Sequence, residues 1–297
     1  METGKIVVER VGGKSTATHC YSKYPLKFII PNKVSPSQTD AVWIYTITYG
    51  GGIVSGDSIK FDITVGDGCT TVLTTQASTK VYKSVGSKYS EQVLEARIGN
   101  DALLAVIPDP VTCFSTAKYS QTQVFKVLPD SSLLIVDWIT SGRHGRGEKW
   151  DFEYYKSKNH IFSEANEPLF LDTILLEQGI CSSIAERMQD YQVIAMVVLL
   201  GPKLKFVQDQ IQENVKNLMS QQLHIPSGSV ERYGDTHNDL YLTKPTFIAS
   251  CSVFGRKCPQ GTGLVVRIAA VTTESVYSFL QCQLSGLDSL LGVSPYQ

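Results

Sequence analysis

The residues from Asp137 to Glu148 form the segment with the most groups able to do chemistry: a strand-like run ends in a glycine-punctuated loop carrying Arg143, His144, Arg146 and Glu148. Arginine holds a carboxylate through two parallel N–H donors, so Arg143 can pin Glu148 or Asp137 in place. A hairpin-like path through the loop would bring Asp137 and Glu148 together. His144 with Glu148 supplies two ligands, short of a zinc-type set. A purely structural Arg143–Glu148 ion pair explains the same residues equally well.

Three other stretches are too unusual for generic strand or turn. Gly50-Gly51-Gly52 precedes Ile53-Val54-Ser55-Gly56-Asp57. Three successive glycines cost chain entropy and bury nothing, so a positive φ or a close backbone approach must require them. A phosphate loop does not fit: no Gly-Lys-Ser/Thr follows at the right spacing, and the next segment reads as a strand. Asp57 would cap the turn or face a cavity. The run Thr74 to Lys83 leaves a strand and sets Lys80 and Tyr82 on one side of an extended chain. It holds no histidine to activate a nucleophile, so it reads as a hydrogen-bonded strand edge. Pro108-Asp109-Pro110-Val111-Thr112-Cys113-Phe114 fixes Asp109 in a stiff loop outside any central ladder. Nothing adjacent would lower the thiol pKa of Cys113, so it reads as structural. His19, His160, His224 and His237 fall in no ligand pattern.

The elements positioning these segments are mostly strands. Ile59, Phe61, Ile63 and Val65 alternate strictly with polar neighbours, and Gly66-Asp67-Gly68 turns the chain into Thr70 to Thr75. Leu94 to Ile98 is followed by Gly99-Asn100 and then Ala102 to Ile107, a pattern that predicts a hairpin. Gln121 to Val127 and Leu133 to Ile139 continue the series. Val193 to Leu200 reads as a buried strand, too short to cross a bilayer. Leu204, Val207, Ile211, Val215 and Leu218 make the apolar stripe of a helix ending near His224. Val276, Phe279, Leu280, Leu284, Leu287 and Leu291 make a second, with Thr273 as N-cap, Glu274 in its first turn and Gly292 at its end. Many short strands with frequent turns predict a mainly β sandwich, barrel or solenoid with a few C-terminal helices, and no linker or repeat divides residues 1–297 into more than one domain.

Composition narrows the function. The chain has 297 residues, 42% hydrophobic and 19% charged, with a formal net charge of −1. That excludes the basic excess of a dedicated nucleic-acid binder. The N-terminal residues open into a strand pattern rather than a signal peptide. The seven cysteines are scattered without a C-x-x-C pair, which predicts reduced and mostly buried thiols in a cytosolic protein. Cys251 and Cys258 are spaced closely enough to be neighbours.

Taken in order, the four stretches resemble the urease accessory protein D family. Gly50 to Asp57 is similar to its G-G-G-[LIV]-V-x-G-D signature and Thr74 to Tyr82 to its T-T-Q-A-[AS]-T-K-[VIF]-Y segment. Pro108 to Thr112 matches its P-[DE]-P-x-[TI] loop, and Gly142-Arg143 with Gly147-Glu148 its G-R-x-x-x-G-E loop. The strong match spans about residues 45–150; the C-terminal third fits by length and pattern. Cys113-Phe114 stands where many relatives carry Pro-Phe or an apolar residue, and His144-Gly145 where prokaryotic relatives often continue Pro-Ala or Met-Ala. No family role therefore attaches to Cys113 or His144.

The resemblance implies a helical, solenoid-like β fold with helices packed on it. It implies a non-enzymatic scaffold in complex with urease accessory proteins F and G, of which G is the GTPase, that docks on apo-urease and helps to insert nickel. It further implies no tightly bound cofactor but a transient nickel ion, in a water-filled passage lined by sparse carboxylates. Asp57, Asp137 and Glu148 are the candidates here. Gly50, Gly51, Gly52, Gly56, Lys80, Tyr82, Asp109 and Arg143 fall to partner contact or structure. A competing expectation is a β-solenoid enzyme acting on a polymer, with Asp57, Asp137 and Glu148 as catalytic carboxylates. A general protein-interaction module is a third.

Overall fold

The computed structural model describes residues 2–31, 39–223, 245–255 and 261–296. Its chain begins with β1 (Gly4–Val11), β2 (Lys14–Ser22), β3 (Leu26–Ile29) and β4 (Val42–Thr48). Then come β5 (Ser58–Val65), β6 (Thr70–Thr75), β7 (Thr79–Val81), β8 (Ser90–Ile98), β9 (Leu103–Val106), β10 (Val111–Cys113), β11 (Lys118–Val127), β12 (Ser132–Thr140) and β13 (Tyr154–Ser163). The last part carries β14 (Pro168–Glu177), α1 (Ile184–Met188), β15 (Val193–Leu200), α2 (Lys205–Leu223), β16 (Phe247–Phe254), β17 (Gly263–Ala270), α3 (Thr273–Leu284) and α4 (Asp288–Leu291).

The middle of the chain winds as a β-solenoid. One sheet runs β14-β13-β11-β8-β5-β1-β2, the other β16-β17-β15-β12-β9-β6-β4-β3. Within the first, β1, β5, β8, β11 and β13 are parallel; within the second, β4, β6, β9 and β12 are parallel. A narrow third side is made by Ile53, β7, β10 and the end of β12, again in parallel register. Each coil visits the second sheet, the third side and the first sheet in turn.

The predicted hairpin at Gly99-Asn100 is not formed. β8 pairs with β5 and β11, whereas β9 pairs with β6 and β12. The glycine-containing turn is a solenoid corner stacked on the corner below it: Asn100 N–H donates to Asp67 Oδ1 at 2.8 Å, and Gly68 N–H to the Asn100 carbonyl at 2.8 Å. Corner and hairpin need the same turn residues, and only long-range pairing separates them.

Period 2 accounts for two cores. In β12, Leu133, Ile135 and Ile139 face the space between the sheets, while Leu134, Val136 and Trp138 face the other way, under the helices. The predicted stripes of α2 and α3 close that second core: Leu204, Val207, Ile211 and Val215 are buried, as are Val276, Leu280 and Leu284. The N-cap of α3 is Thr272 rather than Thr273, its side chain accepting from Ser275 N–H at 3.3 Å. Gly292 ends α4 in the left-handed region as expected. The cysteines depart from expectation. Among the described residues Cys69 and Cys113 are buried, but Cys20, Cys181 and Cys282 are exposed. Cys258, His224 and His237 lie outside the described residues.

Candidate functional site

The four unusual segments meet on the third side of the solenoid. Gly50 and Gly51 take positive φ, +80° and +75°. Gly52 is needed for closeness instead: a Cβ there would stand 2.7 Å from both the Lys80 carbonyl oxygen and the Tyr82 ring. That approach lets Ile53 N–H donate to the Lys80 carbonyl at 2.8 Å and Tyr82 N–H to the Ile53 carbonyl at 2.9 Å, while the Tyr82 hydroxyl donates to the Gly50 carbonyl at 3.2 Å. Gly56, at φ +87°, turns the chain so that Asp57 Oδ2 accepts from Val54 N–H at 2.8 Å. Asp57 therefore caps its own turn.

One coil further, Phe114 N–H donates to the Val81 carbonyl at 2.9 Å and its ring meets Tyr82 edge-on, centroids 5.2 Å apart. The Arg143 guanidinium lies 3.8 Å from the Phe114 ring centroid. Arg143 then grips Glu148 bidentately, with Nε to Oε2 at 2.9 Å and Nη2 to Oε1. This hydrogen bonding holds the Glu148 carboxyl below its ordinary range against the opposing effect of burial. The result is a continuous ladder, Gly50–Tyr82–Phe114–Arg143–Glu148, one rung per segment. Cys113 lies beneath it, fully buried, its thiol pKa pushed up by desolvation.

Asp137 belongs to a different environment, the polar interior between the sheets. Its carboxylate accepts from Gln121 Nε2 at 2.7 Å, Ser157 Oγ at 2.5 Å and Asn159 Nδ2 at 2.7 Å. Burial raises its pKa, and the three donors only partly oppose that. Asp137 and Asp109 line one cavity of about 40 Å³ together with Gln92, Gln121, Gln123 and Thr74. A polar cavity of that size accepts a few water molecules. It shares Thr46 and Thr79 with a surface cleft of about 250 Å³ that is lined by Gly51, Gln76, Ser78 and Lys80. The cleft beside the glycine turn and the interior cavity therefore lie on either side of Thr46 and Thr79.

A family model described as UreD urease accessory protein matches residues 2–296. The chain belongs to this family. It is 64% identical over 296 residues to urease accessory protein D of Arabidopsis thaliana, covering all of both chains. To urease accessory protein D of Oryza sativa subsp. indica it is 58% identical, covering 99% of this chain and 95% of the relative. A urease accessory protein UreD from an Anaeromyxobacter strain is 31% identical over 99% of this chain and 88% of its own.

In this UreD-family chain the carboxylates expected to act together are dispersed. Asp57 serves Val54, Glu148 serves Arg143, and Asp137 sits among amides and a hydroxyl inside the solenoid. Among the described residues no group of three or more His, Cys, Asp or Glu side chains is placed to share a metal. The pairing that does occur, Asp109 with Asp137 around one cavity, escaped sequence reasoning, as did Gln121, Gln123, Ser157 and Asn159. Their signal was present as polar residues at inward positions of period-2 strands. At the far end of the same polar row, Asp172 pairs with Arg267 at 2.7 Å and keeps Oδ2 buried without a hydrogen-bond partner. Among the described residues no helix is long and apolar enough to cross a membrane.

Proposed function

We propose that this chain is a non-enzymatic scaffold for urease maturation. In this reading it works in the cytoplasm, in complex with urease accessory proteins F and G, and helps nickel reach apo-urease without binding the ion tightly. The family match over residues 2–296 carries the reading. The interior supports its chemical part. The cavity wall includes Asp109 and Asp137 with Gln92, Gln121, Gln123 and three threonines among apolar side chains, and no thiolate or imidazole. Few, partly hydrated oxygen donors let a borderline divalent ion enter and leave. Asp137 is then the inner station on the nickel route, and the cleft beside Gly51 and Lys80 its approach. Asp57 and Glu148 hold the surrounding loops rather than the ion. The alternative of a glycan hydrolase gains nothing from this geometry, because Asp137 and Glu148 stand in different environments, one inside the solenoid and the other held by arginine in the corner loop.

The test is deletion and rescue. Removing the chain from a urease-producing cell should leave urease assembled but nickel-free and inactive, and re-expression should restore nickel content and activity together. The purified chain should hydrolyse neither GTP nor urea. Active urease in the deleted cell at ordinary nickel supply overturns the assignment.

A further inference from the structure

The corner loops of successive coils, 49–57, 82–90, 114–118 and 142–153, are fastened to one another at the outer margin of the third side. Val85 N–H donates to Ser55 Oγ at 2.8 Å, Lys118 N–H to Ser84 Oγ at 2.8 Å, and Thr116 N–H to the Asp151 carbonyl at 3.0 Å. With the Tyr82–Phe114–Arg143 ladder behind them, they form one pre-organised surface rather than four independent loops.

Its charge is lopsided. Lys83, Lys88 and Arg146 are exposed, and Lys80 lies exposed at the same margin. None of the four has a carboxylate within ion-pairing distance among the described residues. The carboxylates nearby are already engaged: Glu148 by Arg143, Glu153 by Lys118, and Asp57 by the Val54 N–H. Asp151, Glu91 and Glu177 are the exposed exceptions at its edge, Asp151 accepting weakly from Lys149 N–H at 3.3 Å. A chain of formal net charge −1 thus gathers unpaired cations on one face. The same loops expose large side chains with apolar surface: Val85 is 69% exposed, Tyr89 51% and Tyr49 50%. Exposed aromatic and aliphatic groups ringed by unpaired cations are the composition of a protein-docking surface.

We infer that this corner-loop face docks an acidic protein surface, with the cations steering the encounter and Tyr49, Val85 and Tyr89 supplying the apolar contact. This rests on the maturation reading in so far as the acidic surface belongs to apo-urease. Unpaired cations around a rigid patch raise association rates and make binding fall with salt.

The experiment measures binding of purified apo-urease to the full chain at low and high salt. It compares the wild type with K83E/K88E/R146E, and with K14E/K27E, which reverses the same sign of charge on β2 and β3. The face variant should keep the wild-type melting temperature, bind about tenfold or more weakly at low salt, and lose most of the salt dependence. The control variant should bind as the wild type. Equal binding by the face variant and the wild type overturns the inference, as does an equal loss in the control. Urease activation by the wild type in deleted cells is scored separately. If it fails, the maturation reading falls; if it succeeds while wild-type chain does not bind apo-urease, only the docking inference falls.

Discussion

The hydroxyl of Tyr277 on α3 donates to Asp109 Oδ1 at 2.7 Å, joining two residues 168 positions apart in the chain. Around that bond Trp138 Nε1 and the Tyr296 hydroxyl both donate to the Pro108 carbonyl at 2.9 Å, and the Trp138 and Tyr277 rings meet edge-on at 4.7 Å. The double-proline loop is therefore the seat of the C-terminal helix, and the same aspartate lines the interior cavity. Tyr277→Phe should cost about 1–2 kcal/mol, the value of a hydrogen bond to a charged group left with a partly solvated acceptor. Chemical denaturation checks this, with an unchanged denaturant slope expected.

The glycine turn separates two kinds of constraint. Gly51→Ala places a side chain at φ +75° with open space around it, so it should cost about 1–2 kcal/mol through backbone strain alone. Gly52→Ala meets no φ penalty but drives a methyl into the Lys80 carbonyl and the Tyr82 ring. It should cost more, on the order of 2–3 kcal/mol, and should disturb Tyr82 fluorescence and the adjoining ladder. Melting curves of the two variants side by side test the ranking; a less stable Gly51→Ala protein would refute it.

How much of this was legible in the sequence differs by element. Strand β5 follows from strict alternation, because inward and outward positions of a strand face unlike solvents, whereas β6 and β12 follow as β-rich runs between turns. The helix stripes are as clear, since Val207, Ile211 and Val215 return to one face at intervals of four. The pairing of those strands was not legible. Gly99-Asn100 makes a turn either way, and only the stacking on Asp67, fixed by residues a full coil away, makes it a corner. The site was legible as four odd segments but not as a ladder plus an interior. Asp137 and Glu148 lie 11 positions apart in sequence, yet one points between the sheets and the other into the corner loop. A side chain's facing in β12 is set by its parity, which places Asp137 with Leu133 and Ile135 rather than with the loop that follows.

The two carboxylates should give stability opposite pH signatures. Glu148 is held low by Arg143, so its contribution is present above the unfolded value of about 4.3 and is lost as pH falls through the lower folded value. Asp137 is raised by burial, so its contribution is fullest below about 3.9 and is lost as pH rises through the higher folded value. The stability advantage of wild type over Glu148→Gln should therefore shrink on acidification. Relative to Asp137→Asn it should shrink on going from acid towards neutral pH. Unfolding free energies measured across that range decide both, and parallel pH profiles for the two variants would contradict this account.

The decisive variant for the nickel route is also Asp137→Asn. Asp137→Ala is a poor probe, because it strips the acceptor from Gln121, Ser157 and Asn159 at once and should cost on the order of 3 kcal/mol or more. Any loss of activation would then be ascribed to misfolding. Asparagine keeps the volume and one carbonyl acceptor; the Ser157 hydroxyl can rotate to receive the new amide, but the Asn159 amide, which also donates to Oδ2, must turn away, so the solenoid should fold and capture its partners with a smaller loss of stability than the alanine variant shows. What disappears is the negative charge that draws a divalent ion into a cavity otherwise lined by neutral groups and Asp109. Under the proposed function, urease activation should fall about tenfold or more while the fold and complex assembly hold, since one charged oxygen ligand is a large share of so sparse a site. Glu148→Ala should fail in the reverse order, losing stability or assembly first, because it releases Arg143 from the loop. If Asp137→Asn folds, assembles and activates urease at the wild-type rate, Asp137 is a structural acceptor only, and nickel reaches urease by a route that does not pass it.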